Sequence, residues 1–74
     1  MIPTGNRIFS SSDFGAVIRT RRKGLSMTQQ ELADSIGVAR RVIGELERGK
    51  QSVQLQIALD AMSALGLNLY AEER

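Results

Sequence analysis

Residues 28–49, TQQELADSIGVARRVIGELERG, hold two helical patterns separated by a short turn. The first pattern opens with Thr28 and Glu31 in a T-x-x-E capping box, where each side chain satisfies a backbone donor orphaned by the helix end. Met27 and Leu32 are spaced as a hydrophobic staple across that start. Leu32, Ala33 and Ile36 supply the apolar face, and Gly37 is the residue that most readily takes the left-handed conformation ending a helix. Arg40 begins the second pattern, with Ile43 and Leu46 inward and Val38 plugging the turn, and Gly49 is the next stop. Two helices joined so closely cross steeply rather than lying flat, which is the geometry of a helix-turn-helix.

With Ile43 and Leu46 inward, Arg40, Arg41, Gly44 and Glu45 share the opposite side of the second helix, since i, i+1, i+4 and i+5 lie on one face. In this docking mode the N-terminus of the second helix enters the DNA major groove, and an arginine fork pairs bidentately with guanine O6 and N7. Arg40, Arg41, Gly44 and Glu45 are therefore the candidate base contacts. Gly44 costs about 1 kcal/mol relative to alanine in mid-helix, and a missing side chain there lets the helix approach DNA closely. Glu45 could accept from a cytosine amine or pair with Arg41 one turn back, and the pairing is the favoured reading. Gln29, at the first position of the preceding helix, can offer its backbone N–H and its amide to a phosphate, assisted by the helix dipole. Thr28, Ala39, Lys50, Arg19 and Lys23 join it as candidate phosphate contacts. Each feature has a plainer reading as a solvated helix surface, and it is their combination within this frame that points to DNA.

The chain has 74 residues, enough for one domain but small enough that self-association would help it, because such a chain buries only about 60% of its unfolded surface. It has no cysteine and no histidine, which excludes disulfides, thiolate chemistry, the usual zinc sites and the commonest general base. No metal site, cofactor or catalytic residue is expected. No apolar run reaches membrane length, Met1–Arg7 lacks the hydrophobic region of a signal peptide, and a cytoplasmic, nucleoid-associated bacterial location follows as the expectation. The formal net charge is +2, but residues 1–50 carry nine basic against five acidic side chains, or +4, and residues 51–74 carry one against three, or −2.

Residues 1–7 read as a flexible arm, 8–71 as the folded domain and 72–74 as a frayed tail. Ser10 and Asp13 form a second cap, with Phe9 and Phe14 at staple positions. Phe14, Val17, Ile18 and Leu25 give the inner stripe of the first helix, whose end is crowded by Arg19, Arg21, Arg22 and Lys23, where cations complement the dipole. Ser52 and Gln54 are rival caps for a last helix with a core stripe of Leu55, Ala58, Leu59, Met62 and Leu65. A second stripe, Ile57, Ala61 and Ala64, suggests a contact with a symmetry mate, the alternative being a shallow packing site inside one chain. Gly66 ends that helix, and Leu67 to Tyr70 alternate as a strand does, which must pair with residues 7–9 or with its own copy. Ile57, Ala61, Ala64, Leu67, Leu69 and Tyr70 are accordingly the expected dimer interface.

Arg22–Lys23, Thr28–Ala33, Gly37 and the I-x-E-L-E-x-G run from Ile43 to Gly49 resemble the Cro/C1-type (XRE) helix-turn-helix family. Ile8–Ser10 and the run Ala64–Leu69 extend the resemblance, over roughly residues 7–71, to the HipB-type antitoxins within that family. The resemblance implies an all-α domain of four to five helices, lambda repressor-like, with a short C-terminal β-strand pairing between the two subunits of a dimer. It implies a structural ion pair between Arg22 and Glu47, joining the first helix to the recognition helix. It also implies repression of the chain's own operon and binding to a HipA-like serine/threonine kinase toxin. The doubled arginine at 40 and 41 departs from the simple family pattern, so no operator sequence carries over.

The expectation is thus a homodimeric, sequence-specific DNA-binding repressor on an inverted-repeat operator. Two other readings stay open: a free-standing phage-like or restriction-controller regulator, and a module that keeps the fold but binds only protein. An enzyme is disfavoured, since no carboxylate pair or activated serine or lysine has an evident partner.

Overall fold

The computed structural model describes residues 5–74, so Met1–Thr4 of the expected arm lie outside the described residues. It contains four helices: α1 (Ser11–Gly24), α2 (Gln29–Ile36), α3 (Arg40–Glu47) and α4 (Leu55–Ala64). Their core is Ile18, Leu32, Ala33, Ile43, Leu46, Ala61, Met62 and Leu65, all buried, with Phe14, Met27, Ile36 and Val38 packed against it.

The helix starts form by local chemistry. The Ser10 hydroxyl accepts the Asp13 N–H at 3.1 Å, and the Asp13 carboxylate accepts the Phe9 N–H at 3.0 Å, so two donors that the start of α1 would orphan are satisfied. At α2 the capping box is reciprocal: Thr28 Oγ1 accepts from the Glu31 N–H at 3.0 Å and Glu31 Oε1 accepts from the Thr28 N–H at 2.9 Å. Gly37 then turns the chain with φ +73°, and three residues later α3 begins.

Gly15 sets how α1 meets α3, a role that periodicity does not announce. A Cβ there would lie 2.6 Å from the Glu47 carbonyl oxygen and closer still to that of Leu46, so bare backbone touches bare backbone. Below this crossing the Ser11 hydroxyl donates to the Gly49 carbonyl at 2.8 Å. Gly49, at φ +83°, would carry a Cβ 2.7 Å from Ser12 Cα. The start of α1 is thereby fastened to the end of α3.

Several expectations for the outer parts of the chain are corrected. Helix α4 faces the core with Ala58, Ala61, Met62 and Leu65, which are i, i+3, i+4 and i+7. Ala61 is fully buried within the monomer rather than facing a partner, while Leu55 is 71% exposed. Ile57 is half-buried in an open crevice of about 150 Å³ with Val42 and Val53, and Ala64 remains exposed. Gln54 rather than Ser52 takes the cap position, without a side-chain bond.

No strand occurs among the described residues, because Leu67 is drawn back into the end of α4 and the following segment has no described edge to pair with. The Leu67 N–H donates to the Met62 carbonyl at 2.9 Å and the Gly66 N–H to that of Ser63 at 3.1 Å, with Gly66 at φ +68°. This is a Schellman motif, and it packs Leu67 against the core instead of presenting it outward. Leu25 and Phe9, expected inside, are 43% and 76% exposed, since each lies beyond an end of α1. No helix among the described residues is long and apolar enough to cross a membrane.

Candidate nucleic-acid interface

Helix α3 has an inner seam and an outer face, and a hydrogen-bonded chain runs between them. On the seam, Arg22 of α1 meets Glu47 with Nε 2.6 Å from Oε2 and Nη2 3.0 Å from Oε1, both side chains being buried. Arg22 also donates through Nη1 to the Met27 carbonyl at 2.8 Å, tying the pair to the loop before α2. Burial alone would raise the Glu47 carboxyl, but the hydrogen bonds from Arg22 and Gln29 outweigh it, and the carboxyl stays below the usual carboxylate range. The bond to Glu47 likewise raises the Arg22 guanidinium against the opposing effect of burial. Among the described residues no buried side-chain polar atom lacks a partner.

Gln29 carries the connection outward. Its Nε2 donates to Glu47 Oε1 at 3.0 Å, which leaves its Oε1 as an acceptor, and Arg40 Nη1 donates to that oxygen at 2.9 Å. Arg40, at the exposed start of α3, is therefore held by a relay that begins in the buried pair. The Ala39 cap that precedes it makes no side-chain bond, so the first N–H groups of α3 are not covered by a cap.

Arg41, 72% exposed in its side chain, is held differently. Glu45 accepts from Arg41 Nη1 with one oxygen and from Lys50 Nζ with the other, so the pairing favoured from the one-turn spacing forms and Lys50 joins it. The bond from Lys50 leads in holding the Glu45 carboxyl below its ordinary value, with the Arg41 charge adding to it. Gly44 lies between these groups but is not bare surface: the side chain of Arg48 covers it.

The remaining candidates divide. Thr28 is exposed, with its hydroxyl committed to the α2 cap, and Arg19 and Lys23 are exposed on α1. Arg19 stands near enough for its charge to act on Glu47. Arg21 is instead a clamp within the fold, its Nε donating to the Leu65 carbonyl at 2.9 Å at the end of α4. Arg48 and the Gln29 bridge were not among the features that spacing alone assigned. A signal for Arg48 existed, since position 48 extends the series 40, 41, 44, 45 by one turn.

A short turn between α2 and α3, a buried ion pair anchoring the second of these helices and arginines at its exposed N-terminus together define a helix-turn-helix module. A family model described as helix-turn-helix matches residues 18–70. The uncharacterized HTH-type transcriptional regulator y4mF of Sinorhizobium fredii is 38% identical over 63 residues, which are 85% of this chain and 83% of that protein. An uncharacterized HTH-type transcriptional regulator of Methanothermobacter thermautotrophicus is 46% identical over 50 residues, 68% of this chain and 72% of that protein. The chain belongs to the XRE-type helix-turn-helix family of transcriptional regulators. Its fold is also that of chains solved in a HipA–HipB–O2–O3 complex and in a HipB–O4 20mer complex. Each superposes with a TM-score of 0.85 at 22% identity, over 93% of this chain and 97% of the other.

Proposed function

We propose that this chain is a homodimeric, sequence-specific transcriptional repressor that inserts α3 into the DNA major groove. The observation that carries the reading is the relay from Arg22 through Glu47 and Gln29 to Arg40, which holds one guanidinium at the exposed N-terminus of α3. A preorganised fork loses less freedom on pairing with a base than a free one does. Arg40 and Arg41 read bases, with Gly44 and Glu45 on the same face. Gln29, Thr28, Ala39, Lys50, Arg19 and Lys23 lie along the phosphates and set the register.

Dimerisation rests on the apolar groups that the monomer leaves outside. Leu55, Leu69 and Tyr70 are 71%, 55% and 64% exposed, more apolar surface than so small a domain gains by showing to water. The segment ending at Tyr70 pairs with its copy in the second subunit, and a two-fold axis makes the operator an inverted repeat. The likeness of the fold to chains solved with HipA supports a further role as the antitoxin of a HipA-like serine/threonine kinase toxin in the bacterial cytoplasm. A free-standing regulator is the second reading, favoured by the two relatives being named only as transcriptional regulators.

Selection from a random duplex pool by the purified protein tests the DNA reading, followed by titration of the best site at several salt concentrations. An inverted repeat is expected. Arg40→Ala is expected to weaken its binding by roughly 1 to 3 kcal/mol and to relax preference at one base position. Absence of any enriched sequence sinks the proposal. Failure to co-purify with a co-expressed HipA-type kinase leaves the repressor and removes the antitoxin.

A further inference from the structure

We propose that Arg48 is a third base-reading arginine of the α3 face, and that Gly44 is the bare seat on which its guanidinium rests. The inference rests on the DNA-binding reading above and deepens it. Arg48 directly follows α3 with helical angles, φ −82° and ψ −3°, and its N–H donates to the Gly44 carbonyl at 3.1 Å. Its side chain therefore continues the helical surface. At about 100° per residue, Arg40, Gly44, Arg48, Arg41 and Glu45 follow one another across an arc of about 140°. By angle Arg48 thus lies between the two arginines already assigned, about two turns further along the axis, at the C-terminal end of the same face.

Side chains on a helix lean toward its N-terminus, which carries the Arg48 guanidinium back over the preceding turn. That turn holds Gly44. A Cβ placed there would meet Arg48 Nη1 at 3.2 Å and Cζ at 3.9 Å, and its three nearest neighbours all belong to Arg48. Gly44 is consequently buried although it lies on the outer face. Its missing side chain makes room for a guanidinium rather than for the approach of the helix backbone to DNA.

Among the described residues the Arg48 side chain makes no hydrogen bond or ion pair, whereas that of Arg40 is held by Gln29 and that of Arg41 by Glu45. A planar fork with five donors, directed toward the groove-entering end of the helix and committed to nothing, suits a guanine edge. Lys50, on the margin of the same surface, is already engaged by Glu45.

The test is a double-mutant cycle with Gly44→Ala and Arg48→Ala, using the selected duplex, each of its single-base variants and several salt concentrations. Arg48→Ala is expected to weaken binding about 5- to 150-fold and to relax preference at one position distinct from that of Arg40. Gly44→Ala is expected to weaken binding more when Arg48 is present than when it is absent. Its circular dichroism and unfolding midpoint are expected to match or exceed those of the parent, since alanine is the better helix former. An equal loss from Gly44→Ala in both backgrounds overturns the seat, and a loss from Arg48→Ala uniform over all sequences overturns base reading. If the parent protein enriches no duplex, the DNA-binding reading fails and carries this one with it.

Discussion

Glu45 and Glu47 lie two residues apart on α3, and each carboxylate takes hydrogen bonds from two side chains. Glu47 faces the seam between α1 and α2, where Arg22 and Gln29 enclose it; Glu45 faces out, where the solvent-exposed side chains of Arg41 and Lys50 bond it directly. In the seam, low dielectric and full hydrogen bonding make the pair hard to break once made. On the outer face the same chemistry is screened and its partners exchange readily, so Glu45 sets how much positive charge is available to a ligand rather than whether the domain folds. On the proposed function, one helix thus separates holding from reading by a turn of about 200° between residues two apart.

Glu47→Gln should have the largest effect. It leaves Arg22 charged and buried without a counter-ion, at a cost of about 3 to 5 kcal/mol. A domain of this size has about 4 to 11 kcal/mol in all, at roughly 0.05–0.15 kcal/mol per residue. Urea titration should find the variant largely unfolded or close to it, and a midpoint within error of the parent would place Glu47 with Glu45. Acid should show the same interaction in a second way. A carboxyl lowered in the folded state binds its proton more readily when unfolded, so its contribution is complete above the unfolded value of about 4.3 and is lost as pH falls through the lower folded value. Stability measured from pH 6 down to pH 2 should therefore decline, and the decline should be shallower in a Glu47→Gln variant stabilised enough to study. Glu31 and Glu45, both also lowered, supply the slope that remains.

Gln29→Ala comes next, at about 1 kcal/mol for a half-buried bridge whose buried partner, Glu47, keeps its bonds from Arg22. Its sharper signature is in binding: Arg40 loses its holder, so affinity for the selected duplex should fall more than stability does. Glu45→Gln should move the unfolding midpoint least. It releases Arg41 and Lys50, and freeing Lys50 for phosphate should steepen the slope of log affinity against log salt by up to about 1. An unchanged slope would mean that Lys50 already meets phosphate in spite of Glu45.

The central stretch was legible because its signals are local. The Thr28–Glu31 box, the Gly37 stop and the inward Ile43 and Leu46 each depend on residues within a turn or two, and the structure holds them as expected. Arg22 and Glu47 lie 25 positions apart, and they were found through the resemblance rather than through spacing. Helix α4 was legible in part: Ala58, Met62 and Leu65 lie inward as expected, but both of its stripes are apolar, and which of Leu55 and Ala61 lies inward depends on how closely α4 must approach the core. The alternation of residues 67–70 has the strand period but no edge among the described residues, and the local Schellman bond took Leu67 first. Gly15 and the Gly44–Arg48 stack escaped for a common reason, since a glycine that makes room for something specific looks like any other until its neighbour is in place.

The crossing at Gly15 has a bearing on how such a protein changes its target. Where α1 and α3 come closest, the contact is made by carbonyl oxygens and a residue without a side chain, so the spacing of the two helices is independent of which side chains α3 displays. Positions 40, 41, 44, 45 and 48 all lie away from that crossing. The vocabulary of the outer face can then be rewritten without retuning the frame that aims it. A transplant of those five residues from a regulator with a different operator should redirect the domain while leaving its melting curve almost untouched.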